Sequence, residues 1–464
     1  MKVLMLGWEF PPFISGGLGT ACYGLTKAMS QLGNVDVTFV LPRAIRAPFS
    51  THVRLLAPDT LRARTAGALS QEQTEGAWAL EGMSRVTFRS AAVHGFSVYA
   101  KQARVRGRGS GRSRIPRFRV VEPGSAPDAA QDEGDPVPGQ SFIAAGEIYA
   151  RDMARDVENY RSIVLEIAAE EDFDVIHAHD WMTYPAAIAA SAITGRPLIV
   201  HIHSTEFDRS GLHVNQWIYD IERAGMHAAD RVLAVSYLTK STVVSRYGVP
   251  GEKVEVVYNA LETNGNGTNG RNGSRLPAAI GRDEKIVLFL GRVTMQKGPD
   301  YFLSAARKVL DVMPNVRFIM AGSGDMIRRT VEMAVNMGIG HKVLFTGFLR
   351  GDDVAKVFKM ADVYVMPSVS EPFGIAPLEA LSHDVPTIIS KQSGVSEVLT
   401  HVLKVDFWDV DEIANKIIAV LRHPPLRETL RQHGNLELRK FSWLDSARHC
   451  VRVYEEASYR HAAR

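Results

Sequence analysis

Cysteine is nearly missing from this 464-residue chain, which holds only Cys22 and Cys450. Two thiols build no disulfide framework, so the fold must rest on buried apolar surface, and a reducing compartment, the cytoplasm, is expected. Long apolar runs are missing as well. The N-terminal VLMLGW is too short for the core of a secretion signal, and no stretch has the ~20 apolar residues of a membrane helix. The triplets NGT at Asn266 and NGS at Asn272 then read as products of a Gly/Asn-rich stretch rather than as glycosylation sites. An excess of one charge is lacking: the net charge is +3, which argues against general nucleic-acid binding. The first Gly-rich turn lacks the G-x-G-x-x-G spacing of a nicotinamide dinucleotide site. No internal repeat is visible.

What is present is an ordinary globular composition, 45% apolar and 23% charged, on a chain too long for one compact core. Short Val/Ile-rich runs, apolar on both faces as buried parallel strands are, fall at 3–8, 35–41, 86–93, 174–179, 198–203, 232–236 and 254–258. A second series falls at 286–290, 316–321, 343–346, 363–367, 387–390 and 402–407. Helical patterns lie between, for example over 18–32, where Leu18, Cys22, Leu25, Met29 and Leu32 share a face and Gly33 is a stop. Alternating strand and helix means an α/β doubly wound sheet, here twice over. An N-terminal Rossmann-like domain is expected over 1–260 and a C-terminal one over 278–440. Two segments break the pattern. Residues 261–277 are Gly/Asn-rich and read as a linker or as a loop just inside the second domain. Residues 101–140 begin with a basic run, Arg-rich through 119, and read as a solvated insertion or a surface for a polyanion or partner.

Three motifs carry chemistry. In PPFISGGLGTACYGL (11–25), Gly16, Gly17 and Gly19 lead from a strand into a helix whose first N–H groups can face an anion. Close packing at a tight turn is the plain alternative. In GRVTMQKGPDYFL (291–303), Arg292 and Lys297 follow directly on a strand, at the end where open α/β sheets bind ligands. Two cations there suit a diphosphate, Arg gripping it bidentately and Lys acting as a point charge. In SEPFGIAPLEAL (370–381), Glu371 and Glu379 flank a turn whose N–H groups at Phe373, Gly374 and Ile375 are free to meet a ligand. Carboxylates accept vicinal hydroxyls well, so one acid for a ribose and one for a sugar is a natural reading; a helix-capping acid is the alternative.

GGLG, GRVTMQKG, AGSGDM and SEPFGIAPLEA, in this order, resemble the retaining GT-B glycosyltransferases, the nucleotide-sugar-dependent group that includes glycogen, starch and sucrose synthases. HAHDW and the C-terminal FSW resemble the glycogen and starch synthase side. The resemblance implies a GT-B fold, two Rossmann-like domains facing a deep cleft, with a final helix, about 441–464, crossing back to the first domain. It implies that Arg292 and Lys297 grip the donor diphosphate, that Glu379 holds the donor ribose, and that Glu371 lies by the transferred sugar. Phe373, Gly374 and Ile375 would hold sugar hydroxyls or phosphate, and Gly16 and Gly17 would cover the donor phosphates. His203 would present its backbone carbonyl to the reacting sugar, and Gly322 and Ser323 would lie near the base. His179, Asp180 and Trp181 would stand on the acceptor side. The implied partners are a nucleoside-diphosphate sugar, ADP- or UDP-glucose, and a carbohydrate acceptor, an α-glucan or, as the alternative, a small acceptor as in sucrose- and trehalose-type transferases, with no metal cofactor. One departure stands out. The K-T-G-G pattern of bacterial glycogen synthases has Ile14 and Ser15 here in place of Lys and Thr, which leaves the donor base and the acceptor open.

Four other functions fit parts of the pattern. His177, His179, Asp180, His201 and His203 could form a zinc hydrolase site. Because alternate strand residues face opposite sides, His179 and His203 at neighbouring strand ends are expected to meet a ligand without a metal. Glycoside hydrolysis by the Glu pair would leave Arg292 and Lys297 without a role. A nucleotide-sugar epimerase shares the fold, and a non-catalytic sugar binder would not need all of these groups. Asp172-Phe173-Asp174 mimics a D-x-D metal element but precedes a strand.

Overall fold

The computed structural model describes residues 1–10, 16–42, 55–56, 86–90, 143–261, 283–349 and 352–462. Ile14, Ser15, the 101–140 segment and nearly all of 261–277 lie outside these residues. The segment His94–Arg155 separates from the rest of the chain, and its described part, from Ile143, is helical.

The larger unit holds two sheets. The first contains β1 (Lys2–Leu6), β2 (Asp36–Leu41), β3 (Leu55–Leu56), β4 (Val86–Ser90), β5 (Val175–His179), β6 (Leu198–Ile202), β7 (Arg231–Ala234) and β8 (Val254–Val256), in the order β3-β4-β2-β1-β5-β6-β7-β8. The second contains β9 (Lys285–Leu290), β10 (Val316–Ala321), β11 (Val343–Gly347), β12 (Val363–Met366), β13 (Thr387–Ser390) and β14 (Leu403–Val405), in the order β11-β10-β9-β12-β13-β14. Neighbouring strands pair in parallel, for example β1 with β2 and β5, and β9 with β10 and β12. Outside β3 and β4, most of their Val, Ile and Leu side chains are buried, as helix-covered parallel sheets require. Strand order reverses beside β1 in the first sheet and beside β9 in the second. Those are the two places where a doubly wound sheet opens a crevice at the carboxyl ends of its strands.

The helix Gly17–Leu32 lays Ala21, Cys22, Leu25, Ala28 and Met29 into the first core and ends at Gly33, whose φ of 74° closes the last turn. The helix Trp443–Ala462 packs on it and adds Ala447, Cys450, Val453 and Tyr454 to the same cluster. The end of the chain thus lies on the first sheet although it follows the second. The D-x-D mimic ties β5 to β1. Asp174 accepts from the Lys2 N–H at 2.7 Å, and Asp172 pairs with the Lys2 ammonium at 2.8 Å. Several strands stop short of the apolar runs that signal them. The run at 3–8 yields Lys2–Leu6, and that at 198–203 yields Leu198–Ile202. The chain there leaves the ladder to form the loops described next. Leu55–Leu56 is a strand too short for any periodicity to announce. Among the described residues no helix is long and apolar enough to cross a membrane.

Candidate functional site

The second sheet contributes two loops, after β9 and after β12. Beyond β9 the chain runs through Arg292 into a single 3-10 turn, Met295–Lys297, closed by Gly298 at φ 66°. The Arg292 guanidinium donates to Gln296 Oε1 at 3.2 Å. Gln296 is buried, and its backbone carbonyl accepts from Val369 N–H at 2.9 Å, which joins the two loops. At that junction the Lys297 ammonium is paired with the Glu371 carboxylate. Both side chains are largely buried, 18% and 10% exposed. Glu371 N–H donates to Gln392 O at 2.9 Å, so the acid is fixed by its backbone as well as by its partner.

Gly374 follows with φ 107°, a backbone that side chains avoid, and a Cβ there would stand 3.2 Å from Glu371 Cγ and from Val395 Cγ1. It is the N-cap of the helix Ile375–Ser382. The N–H groups of Phe373, Gly374 and Ile375 have no acceptor among the described residues. Pro377 sits inside the first turn, where a missing N–H costs nothing. Glu379 falls past that turn and caps nothing; the helix has no acid in its first turn and no side-chain cap. The capping alternative therefore does not apply to it. Burial pushes the Glu379 carboxyl up to about 7, and among the described residues no cation or donor holds it down.

Gly322 and Ser323 leave β10 beside this loop. A Cβ on Gly322 would come within 1.8 Å of Gly291 O, and Val293 N–H donates to Ser323 O at 3.0 Å. Gly322 thus braces the Arg292 loop, while Ser323 is exposed. On the first sheet, Gly16 has an extended backbone, φ −170°, and a Cβ on Gly16 or Gly17 would meet no described atom within 4 Å. Neither positive φ nor close packing against the described residues explains these two glycines.

The ends of β5 and β6 carry the remaining candidates. Asp180, at φ 59°, accepts from His203 N–H at 2.7 Å and from Ser204 N–H at 3.4 Å. Burial raises its carboxyl to about 7. His179, Asp180 and Trp181 are buried. Asp180 holds the loop at His203, and Trp181 meets Trp217 edge-on at 5.5 Å. The His203 ring turns inward: its Nε2 meets His179 Nδ1 at 2.9 Å, and its Nδ1 is buried without a partner.

The histidine arrangement corrects the sequence reading. Alternation separates i from i+1, but His177 and His179 are two apart and share a face, as do His201 and His203. With His179 opposite His201 in the β5–β6 register, all four rings form one layer, centroids 4.3 to 5.4 Å apart. Burial holds His177, His179 and His201 well below the usual 6.5 and lowers His203 to about 3, so the layer is neutral.

Contacts that the sequence reading missed join the two sides. The helix Glu206–Ser210, which follows His203, touches the turn Met295–Lys297. Ser370 Oγ donates to Asp208 Oδ1 at 2.5 Å, tying the Glu371 loop to that helix. Asp208 also closes a capping box with Thr205, and this T-x-x-D spacing was the one local signal available. Ser236 Oγ donates to Pro372 O at 2.6 Å, and Glu397 accepts the N–H groups of Tyr237 and Leu238 at 2.9 and 2.5 Å. Arg292, Lys297, Glu371 and the His203 loop thus meet around one junction.

Three family descriptions match successive parts of the chain: starch synthase catalytic domain over residues 2–104, glycosyltransferase family 4 over 117–264, and glycosyl transferases group 1 over 274–436. An uncharacterised glycosyltransferase of Methanocaldococcus jannaschii is 29% identical, covering 98% of this chain and 98% of its own. Glycogen synthase of Mycobacterium tuberculosis is 23% identical, covering 98% of this chain and 94% of its own. Anabaena HepE, in complex with UDP and glucose, superposes with a TM-score of 0.64 at 17% identity, covering 98% of this chain and 100% of that one.

Proposed function

We propose, starting from a chain that is a GT-B glycosyltransferase similar to the glycogen and starch synthases, that it transfers glucose from a nucleoside-diphosphate glucose to an α-glucan with retention of the anomeric configuration. The observation that carries this reading is the Lys297–Glu371 pair, set beside Arg292 where the chain leaves β9 and β12. A lone cation or a lone acid would fit many roles. A closed pair at a strand-end crevice, next to three unengaged N–H groups, fits a site in which a diphosphate replaces the carboxylate on the ammonium.

In this reading Arg292 and Lys297 take the two phosphates, and the release of Glu371 from Lys297 gives the transferred sugar its acid. As the sugar–phosphate bond lengthens, negative charge grows on the diphosphate and positive charge at the anomeric carbon. Lys297, Arg292 and the N–H groups of Phe373, Gly374 and Ile375 answer the first, and Glu371 answers the second. The backbone of His203, held by Asp180, stands at the sugar; its ring is committed to the histidine layer. Glu379 accepts the two ribose hydroxyls, which solvate its carboxylate in place of water. Gly16 and Gly17 leave room for phosphate oxygens at the N-terminus of their helix. Protein groups carry the charge of the leaving diphosphate, so the transfer needs no added Mg²⁺. The donor is UDP- or ADP-glucose; UDP and glucose are what the HepE structure holds, and glycogen synthase is the activity of the mycobacterial relative.

The test is a panel of nucleotide sugars, first for binding and then for transfer to glycogen, maltose and small sugars, with and without Mg²⁺. Transfer of glucose to glycogen or maltose without Mg²⁺ supports the reading. Transfer only to a small non-glucan acceptor replaces the α-glucan, and conversion of the donor with no acceptor present identifies an epimerase or hydrolase instead.

A further inference from the structure

The histidine layer has lone pairs that nothing among the described residues uses. His177 and His179 on β5 and His201 on β6 are buried, and each offers a ring nitrogen within 4.8 Å of the others. Their hydrogen bonds are one-sided. His177 Nδ1 meets the Tyr454 hydroxyl at 2.6 Å, and His179 Nδ1 meets His203 Nε2 at 2.9 Å. With the ring proton on Nδ1 in both, Nε2 is left as an acceptor, and it is unpartnered in both; the two nitrogens of His201 are unpartnered as well. Leaving a buried polar atom without a partner is destabilising. Ring stacking does not engage in-plane lone pairs, so it does not offset that cost.

We propose that His177, His179 and His201 bind one divalent transition-metal ion of the Zn²⁺ class through ring nitrogens, as a structural ion that fixes the ends of β5 and β6 beneath His203 and Asp180. Imidazole donors without a carboxylate select this class of ion over Mg²⁺ and Ca²⁺, which take oxygen ligands. The Tyr454 and His203 contacts are the outer hydrogen bonds that orient metal-bound imidazoles and set which nitrogen carries the proton. Around a tetrahedral ion with bonds of about 2.0–2.1 Å, the nitrogens stand roughly 3.4 Å apart. The rings therefore close by about 1 Å, which rotation about their side-chain bonds supplies. Counter-charge is at hand. The buried Asp180 carboxyl is next in the chain to His179, whereas the Cys22 thiol, in an overlapping set with His179 and His203, is the competing ligand. The ion lies outside the transfer chemistry proposed above, which draws on Arg292 and Lys297.

The experiment uses the full chain, purified without a polyhistidine tag and dialysed. The metal content is measured, and the metal-free protein is titrated with Co²⁺ followed by its visible absorption. Expected are one equivalent of ion per chain and the bands of a nitrogen-bound, four-coordinate Co²⁺. Tyr454→Phe keeps the ligands but removes the hydroxyl from His177 Nδ1, and should weaken Co²⁺ binding ~10–100-fold. His201→Gln should abolish stoichiometric uptake. Wild type without stoichiometric uptake overturns the proposal, as does a sulfur-to-cobalt charge-transfer band, which moves the ion to Cys22. Wild-type affinity in both variants also overturns it.

Discussion

Replacing Lys297 by Met removes an ammonium and keeps most of its stem, and two separable losses follow. The first is in stability. Glu371 is left as a buried carboxylate without its cation, its side chain 10% exposed. Breaking a buried pair from one side costs ~3–5 kcal/mol, and the partial exposure of both groups puts the expected loss near the lower end. The second loss is in catalysis. A cation that strengthens its hold as the diphosphate departs is worth ~2–4 kcal/mol, a fall of roughly 30- to 1,000-fold in kcat/KM. The double variant Lys297→Met, Glu371→Gln separates the two. With no charge left to strand, its urea midpoint should return close to that of Glu371→Gln alone. Its kcat/KM should stay at least about tenfold below that of Glu371→Gln, because Lys297 holds phosphate as well as Glu371. Steady-state kinetics on the three variants, at saturating acceptor, read this directly. Equal kcat/KM for the double variant and Glu371→Gln would refute the reasoning, since Lys297 would then serve only to neutralise its partner.

Glu379→Gln should raise the donor KM with little change in kcat, because grip on a ribose is alike before and during transfer; an unchanged KM would remove Glu379 from the donor site. The same variant should stabilise the free protein at pH 8. The folded-state carboxyl titrates at about 7 against an ordinary 4.5, so the proton is held more tightly when folded and stability falls as pH rises from 4.5 to 7, by about 3 kcal/mol in all. The buried histidines have the opposite sign. Their folded-state values lie below 6.5, so the unfolded chain takes up protons that the native layer refuses. Stability should be level above pH 6.5 and fall below it by ~1.4 kcal/mol per pH unit for each histidine. Urea midpoints of the metal-free protein at pH 7.5, 6.5 and 5.5 check this, and His201→Gln should show the shallower fall. Gly374→Ala forces a Cβ into a left-handed turn against Glu371 and Val395, and should lower kcat more than it lowers stability, read by kinetics and urea titration on the same sample.

The parts of this protein legible in its sequence are those that local chemistry dictates. Strands such as Val316–Ala321 and Thr387–Ser390 stand where buried Val/Ile runs place them. The glycines and the Arg/Lys pair stand at strand ends, where the chain turns out of the sheet through Gly291, Gly298 and Gly322 at positive φ. Less legible is what only the assembled sheets create. Lys297 meets Glu371 across 74 residues and Ser370 meets Asp208 across 162, and no periodicity encodes such distances. The four-histidine layer needed the β5–β6 register, His179 opposite His201, in addition to the two-residue spacing. Asp180 could be read from its motif but not its role, which rests on a φ of 59° that aims the carboxylate back at His203 N–H. The burial of Trp181 was not legible either, since an aromatic beside an acid suits a sugar surface and a core alike.

The central claim is retention at the anomeric carbon by a protein-held diphosphate, and the direct measurement is the configuration of the new linkage. UDP- or ADP-glucose, whichever binds, is given with maltose or glycogen, and the early product is read by the coupling of its anomeric proton in NMR. The account predicts an α-linkage from the α-configured donor, lost in parallel with donor turnover in Lys297→Met. A β-linkage from the same donor would contradict it, because attack would then come from the face opposite the diphosphate.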